Sequence, residues 1–219
     1  LFVLAVETIL GGIGFLVIYN ICTFKFLRRK SGAKGRLSLH SSVVLRFSLY
    51  LTAIAFAAFL LLERNGALKG FDWPQKLWVG FYQAVTPRSC GFTVVPLEAM
   101  RDSTLDLYEW LMLIGGAPGS VAGGMKVTTF AVLIYTLLAM CRGEQETVIS
   151  HRVVSSDVVR ESIVIIVAVF LFVDLVYVLV SPIEKTSVQV NFRLYFEAIS
   201  AITTTGLSIG NTTSELTKV

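Results

Sequence analysis

Two short strings of small, polar residues, each ending in glycine, are the parts of this 219-residue chain whose types and spacing could do chemistry. They are Ser89-Cys90-Gly91 and Thr204-Thr205-Gly206. Their resource is the backbone. A row of carbonyl oxygens turned toward one axis can replace the hydration shell of a cation. Glycine suits such a row because the backbone angles it needs are ones that a Cβ penalises. Both strings follow the same order of residue types: aromatic, Gln or Glu, Ala, a β-branched residue, then Ser or Thr. The two copies read FYQAVTPRSCGFTVV and YFEAISAITTTGLSIG, the second with one more residue between its Ala and its Gly. A lone string of this kind is an ordinary glycine-containing loop, but two copies in matching surroundings point to a filter.

Between the strings, an apolar run at 107–140 is interrupted by Gly115, Gly116, Pro118, Gly119, Ser120, Gly123 and Gly124, with Lys126 just beyond. A helix interior loses about 1 kcal/mol per Gly and about 3 kcal/mol per Pro, so a break is expected here. At membrane depth the freed backbone groups need protein or water as partners, which favours a place along a water-filled path. The competing reading is a kinked helix whose small residues allow close packing. A lysine at such depth is expected to face a cavity or a partner, where its charge would oppose cations.

Other constellations fall away. The run from Gly119 to Lys126 ends G-M-K-V rather than G-K-[ST], so it is no phosphate-binding loop. Ser120 has no credible base for a serine-protease dyad, because His40 and His151 lie in polar connections among basic residues. Cys22, Cys90 and Cys141 are odd in number and widely spaced, which argues against a disulfide framework and a zinc site.

The elements that must hold the strings are membrane spans. Hydrophobic residues make up 54% of the chain and charged ones only 16%, against about a quarter in soluble domains. The net charge of +4 is spread between apolar runs, which reads as topology rather than as a nucleic-acid face. Apolar runs at 1–27, 43–62 and 163–180 each fit one crossing, for which a helix needs about 20 residues. The connection carrying Lys25, Arg28, Arg29, Lys30, Lys34 and Arg36 is short and strongly basic, hence cytoplasmic. Three crossings then return 141–161 to the same side, while 63–76, 96–106 and 182–193 face outside. Residues 75–87 and 191–202 form amphipathic stretches too short to cross, one before each string. Span, short helix and polar string thus occur twice. The apolar opening without Met or a basic flank reads as a start inside a helix rather than as a signal peptide. Gly11, Gly12 and Gly14 read as close-packing positions in the first span, with a functional hinge as the alternative. Arg88 is expected to hydrogen-bond the filter from behind, Gln83 to anchor its short helix, Glu197 either to do the same or to add negative potential near the ion path, and Asp174 to lie at the interface.

With QAVTPRSCGF, GGAPGSVAGGMKVTTF and SAITTTGLS in view, the chain resembles the Trk/Ktr/HKT superfamily of cation transporters, most closely its Ktr branch. The resemblance implies an all-α membrane protein built of fused repeats, each an outer helix, pore helix, filter strand and inner helix, as in a potassium channel. It implies that 1–30 holds the inner helix of repeat two, that 43–140 is repeat three, and that 161–219 is repeat four without its inner helix. It implies potassium uptake across the plasma membrane, in a bacterium the inner membrane, through a carbonyl-lined filter gated by the Gly-rich loop 115–126. Potassium is then a transported substrate, and no cofactor, catalytic residue or nucleic acid is expected. The implied partners are the lipid bilayer, a second pore subunit in a homodimer, and a cytoplasmic nucleotide-binding ring touching 25–46 and 141–160. A sodium-permeable or sodium-coupled transporter is the alternative. A membrane-embedded enzyme would need converging titratable groups at one depth, and a structural subunit would not need two strings.

Overall fold

The computed structural model describes residues 1–31, 37–150, 152–181 and 188–210, with side chains for all of these except 24–31 and 188–191. Helices come in the order α1 (Phe2–Ile13), α2 (Phe15–Ser31), α3 (Leu39–Glu63), α4 (Trp73–Val85), α5 (Asp102–Ile114), α6 (Val127–Cys141), α7 (Ser156–Val180) and α8 (Val188–Ile202). Single 3-10 turns follow α4 at Thr86–Arg88 and precede α5 at Leu97–Ala99. A small antiparallel pair, Val148–Ile149 with Arg152–Val153, joins α6 to α7.

The chain is an all-α membrane protein. Helices α3 and α7, 25 residues each, are long and apolar enough to cross a bilayer. Along α7 only Ser162 and Val173 are buried, while Val164, Leu171, Val178 and Leu179 point outward. An apolar surface that continuous has lipid, not water, as its solvent.

Local sequence sets the ends of the helices. Ser38 caps α3, its Oγ accepting from the Ser41 N–H at 3.2 Å. That same Oγ accepts from Asn20 of α2 at 2.7 Å, which ties the cap to the preceding helix. At the start of α4 the Gln75 side chain accepts from the Asp72 N–H at 3.2 Å, and Pro74 sits in the first turn, where no helical N–H is lost.

The short helices lie inside the longer ones. Helix α4 packs on α3 and α1, and α8 on α5 and α7. The main core joins Phe59 of α3, Tyr108 and Met112 of α5, Phe196 and Ile199 of α8, and Leu207 just beyond α8. This core thus supports both short helices, α4 through Val79 and Ala84 and α8 through Phe196 and Ile199.

The first apolar run is bent, α1 and α2 meeting at an angle of 92°. The bend is at Gly14, whose φ of +82° is open to glycine and costly for other residues. A Cβ there would stand 2.8 Å from the Pro118 carbonyl oxygen, so Gly14 is at once a bend and a close-packing position. Lys34, Arg36 and His151 lie outside the described residues, as do the side chains of Lys25, Arg28, Arg29 and Lys30. His40 sits in the first turn of α3.

Candidate functional site: two strings above a broken helix

The two strings, far apart in sequence, meet in space. A Cβ built on Gly91 would stand 2.7 Å from the Gly206 carbonyl oxygen and 2.8 Å from that of Thr205. Only a residue without a side chain lets the strings approach this closely. Gly206 is required for a different reason. Its φ is +81°, while the space beside it is open, the nearest atom to a Cβ being the Gly91 Cα at 3.8 Å.

Local hydrogen bonds shape each string. After α4, the N–H groups of Ser89 and Cys90 both donate to the Thr86 carbonyl, at 3.3 and 3.0 Å. Thr86 Oγ1 then donates to the Phe92 carbonyl at 3.1 Å and holds the string beyond Gly91 against the end of its helix. Ser89 Oγ reaches across to the Thr8 carbonyl of α1 at 3.2 Å. Cys90 is half-buried and its thiol is free.

The second string is more regular. From Thr203 to Gly210 buried and exposed residues alternate, the period of an extended chain with one side on the core. Thr204 has φ +54° and Gly206 φ +81°, and Thr205 between them stays outside that left-handed region. Alternating backbone hand swings successive carbonyls toward one side, which an ordinary strand does not do. The Thr203 and Thr205 hydroxyls are 3.0 Å apart, fixing the buried side. Glu197 of α8 accepts from Ser208 Oγ at 2.7 Å and from the Ile209 N–H at 2.8 Å, anchoring the outer part of the string. Gln83 occupies the same slot in α4 but makes no such anchor. It is fully buried, and neither side-chain polar atom has a hydrogen-bond partner among the described residues.

The Gly-rich segment 115–126 is a non-helical loop between α5 and α6, as its composition requires. Its backbone is stitched to its surroundings on three sides. The Ala117 and Val121 N–H groups donate to the Gly12 and Gly11 carbonyls at 2.9 and 3.3 Å, and the Phe15 N–H donates to the Gly119 carbonyl at 3.2 Å. Two helix breaks thus satisfy each other, an economical way to keep irregular backbone at membrane depth. The Met125 and Val127 N–H groups return to the Leu113 and Gly116 carbonyls, both at 2.9 Å. The Gly123 N–H donates to the Thr203 carbonyl at 3.1 Å, where the second string begins. Pro118 and Ser120 are half-buried in the loop and Gly119 is exposed. Lys126 has φ +70° and folds its ammonium back onto the Ala122 carbonyl, so its partner is the loop itself.

Two supports differ from expectation. Arg88 does not bond the first string. Its guanidinium bonds α3 and the Gly115 carbonyl, 3.2 Å from Nε. Glu63, the last residue of α3 and the first of a connection expected to face outside, is fully buried rather than solvent-facing. Its Oε1 accepts from the Arg101 N–H at 2.9 Å and the Thr104 hydroxyl at 2.6 Å, and its Oε2 from the Ala67 N–H at 3.0 Å. A carboxylate at the start of α5 is favoured by the unpaired N–H groups and partial positive charge of a helix N-terminus. Asp174 accepts from the Tyr195 hydroxyl of α8 at 3.3 Å.

Comparison with known proteins gives a consistent result. A family model described as TrkH, cation transport protein, matches residues 1–219. The chain is 35% identical to "Ktr system potassium uptake protein B" of Bacillus subtilis, over 95% of this chain and 45% of that protein. It is 32% identical to "Potassium/sodium uptake protein NtpJ" of Enterococcus hirae, over 93% of this chain and 44% of that protein. The chain therefore spans about half the length of the curated relatives it matches. The crystal structure of the potassium transporter TrkH from Vibrio parahaemolyticus matches with a TM-score of 0.64, covering 96% of this chain and 46% of that one. At 14% identity that likeness speaks to the fold alone.

Proposed function

The chain belongs to the TrkH family of cation transport proteins, and from that premise we propose that it forms part of the pore of a potassium-uptake system. In this reading Ser89, Cys90, Gly91, Thr204, Thr205 and Gly206 contribute carbonyls to a selectivity filter, and the loop from Gly115 to Lys126 is a gate beneath it. The observation that carries the reading is the meeting of Gly91 with the Thr205 and Gly206 carbonyls, with Gly123 hydrogen-bonded to Thr203 at the adjoining end. Strings and loop make one connected unit.

The repeats follow: 1–30 as an inner helix bent at Gly14, 43–140 as a complete repeat, and 161–219 as the outer helix, pore helix and filter of the next. Potassium is the substrate and no cofactor takes part. Flux follows the electrochemical gradient, with about 2.3 kcal/mol per charge for each 100 mV of membrane potential. A homodimer of pore subunits, a cytoplasmic nucleotide-binding ring and a bacterial inner-membrane location complete the proposal. A sodium-permeable or sodium-coupled transporter is the second reading, favoured by the name of the Enterococcus relative, a potassium/sodium uptake protein.

Deleting 116–124 from the complete transporter and measuring potassium flux into proteoliposomes tests the gate. Flux rises if the loop is a barrier. Unchanged or lost flux with intact folding contradicts it.

A further inference from the structure

Arg88 is nine-tenths buried, 9% exposed, and among the described residues every one of its side-chain hydrogen bonds ends on a neutral oxygen. Nη1 donates to the Ser48 carbonyl at 3.3 Å and to Thr52 Oγ1 at 3.4 Å, and Nη2 to Ser48 Oγ at 3.2 Å, all on α3. Nε donates to the Gly115 carbonyl at 3.2 Å. Burying a cation is unfavourable unless its protons are met, so this side chain is held where it is by all of these acceptors together. Arginine is suited to the place because its rigid fork presents donors in several directions, which an ammonium on a flexible stem does not.

The positions of those acceptors matter. Arg88 immediately precedes Ser89, the first residue of the first string. Gly115 ends α5 and opens the Gly-rich loop, with φ +64° and ψ −149°. One guanidinium therefore joins the outer helix, the root of a string and the first joint of the loop. If the loop swings, its first joint turns and the Gly115 carbonyl leaves the guanidinium. A cavity of about 280 Å³, lined among others by Thr8, Ser48, Thr52, Val85 and Ser89, adjoins Arg88 and gives the side chain space to follow.

We propose that Arg88 is a positioning residue that couples the first string to the gate, holding the Gly115 carbonyl while the loop lies beneath the strings and releasing it when the loop moves. The proposal rests on the gating role assigned to the loop. Replacing the guanidinium removes a charge-assisted hydrogen bond from the closed arrangement only, so the loop opens more often.

The test is a double-mutant cycle in the complete transporter, read as potassium flux into proteoliposomes: wild type, Arg88→Gln, deletion of 116–124, and both changes together. Arg88→Gln raises flux about tenfold when the loop is present, the effect of losing one hydrogen bond to a charged group. It leaves flux unchanged when the loop is absent. Arg88→Lys restores only part of the wild-type behaviour. An equal factor in both backgrounds, or a fall in flux, overturns the coupling while leaving the gate intact. A silent loop deletion overturns both the gate and the coupling. If Arg88→Gln does not fold, the pair Ser48→Ala and Thr52→Val removes two anchors and keeps the charge. That pair gives a smaller rise, again confined to the loop-containing protein, and no rise overturns the coupling.

Discussion

Gly123→Ala is the change that most directly separates loop from string. A Cβ at this position would run into the Thr203 carbonyl oxygen, with the Thr203 carbonyl carbon at 2.6 Å and Thr204 Oγ1 at 2.9 Å. These neighbours are mostly backbone and cannot rotate away, so loop and string must move apart. Overpacking of this kind costs about 1–3 kcal/mol. The parting also gives up the hydrogen bond from the Gly123 N–H to Thr203, about 1 kcal/mol net. Together they destabilise the seated loop by about 2–4 kcal/mol, a fall of about 30- to 700-fold in the ratio of closed to open loops. Potassium flux into proteoliposomes carrying the complete transporter should rise until the loop no longer limits it. Gly70→Ala is the control, because a Cβ there meets nothing within 4 Å. Wild-type flux in a correctly folded Gly123→Ala protein would refute the reasoning. A fall in flux would show that the contact braces the string rather than seating a barrier.

The supports and strings give further expectations. Glu63→Ala leaves the Ala67 and Arg101 N–H groups and the Thr104 hydroxyl without their acceptor, and should lower stability by about 3–5 kcal/mol. Thermal unfolding in detergent reads this as a lower midpoint, with Glu63→Gln losing less; an unchanged midpoint contradicts the tie. Gly91→Ala and Gly206→Ala should differ. The first drives a Cβ into backbone atoms at 2.7 to 2.9 Å, whereas the second has space and carries only the left-handed strain of about 1–2 kcal/mol. Potassium-over-sodium selectivity should fall further in Gly91→Ala, and the reverse order would mean that packing between the strings does not set their geometry.

Much of this arrangement is legible in the residues themselves. The run with Gly115, Gly116, Pro118, Gly119, Gly123 and Gly124 cannot stay helical, and it does not. The two strings announce themselves through the short helices before them, because YQAVT and FEAIS share a pattern that places small residues at the same end. What stayed hidden depends on distant partners. Gly11, Gly12 and Gly14 look alike inside an apolar run, and only the Pro118 carbonyl, far along the chain, marks Gly14 as the bend. Glu63 looks like the first residue of a wet connection because Arg101 and Thr104, which bury it, come from another element. Gln83 and Glu197 hold the same motif slot, yet only the string after α8 returns to its carboxylate. The spacing differs by one residue between the copies, and that shift changes what lies opposite each side chain.

The central claim is that carbonyls of these two strings select the ion. Its most direct measurement is potassium uptake by the complete transporter in proteoliposomes, with sodium as competitor, for wild type, Gly91→Ser and Gly206→Ser. The account predicts potassium-selective uptake in the wild type, and loss of selectivity or rate by about tenfold or more in each variant, one decade per 1.4 kcal/mol of displaced string. Unchanged selectivity and rate in both variants, with both proteins folded, would contradict it.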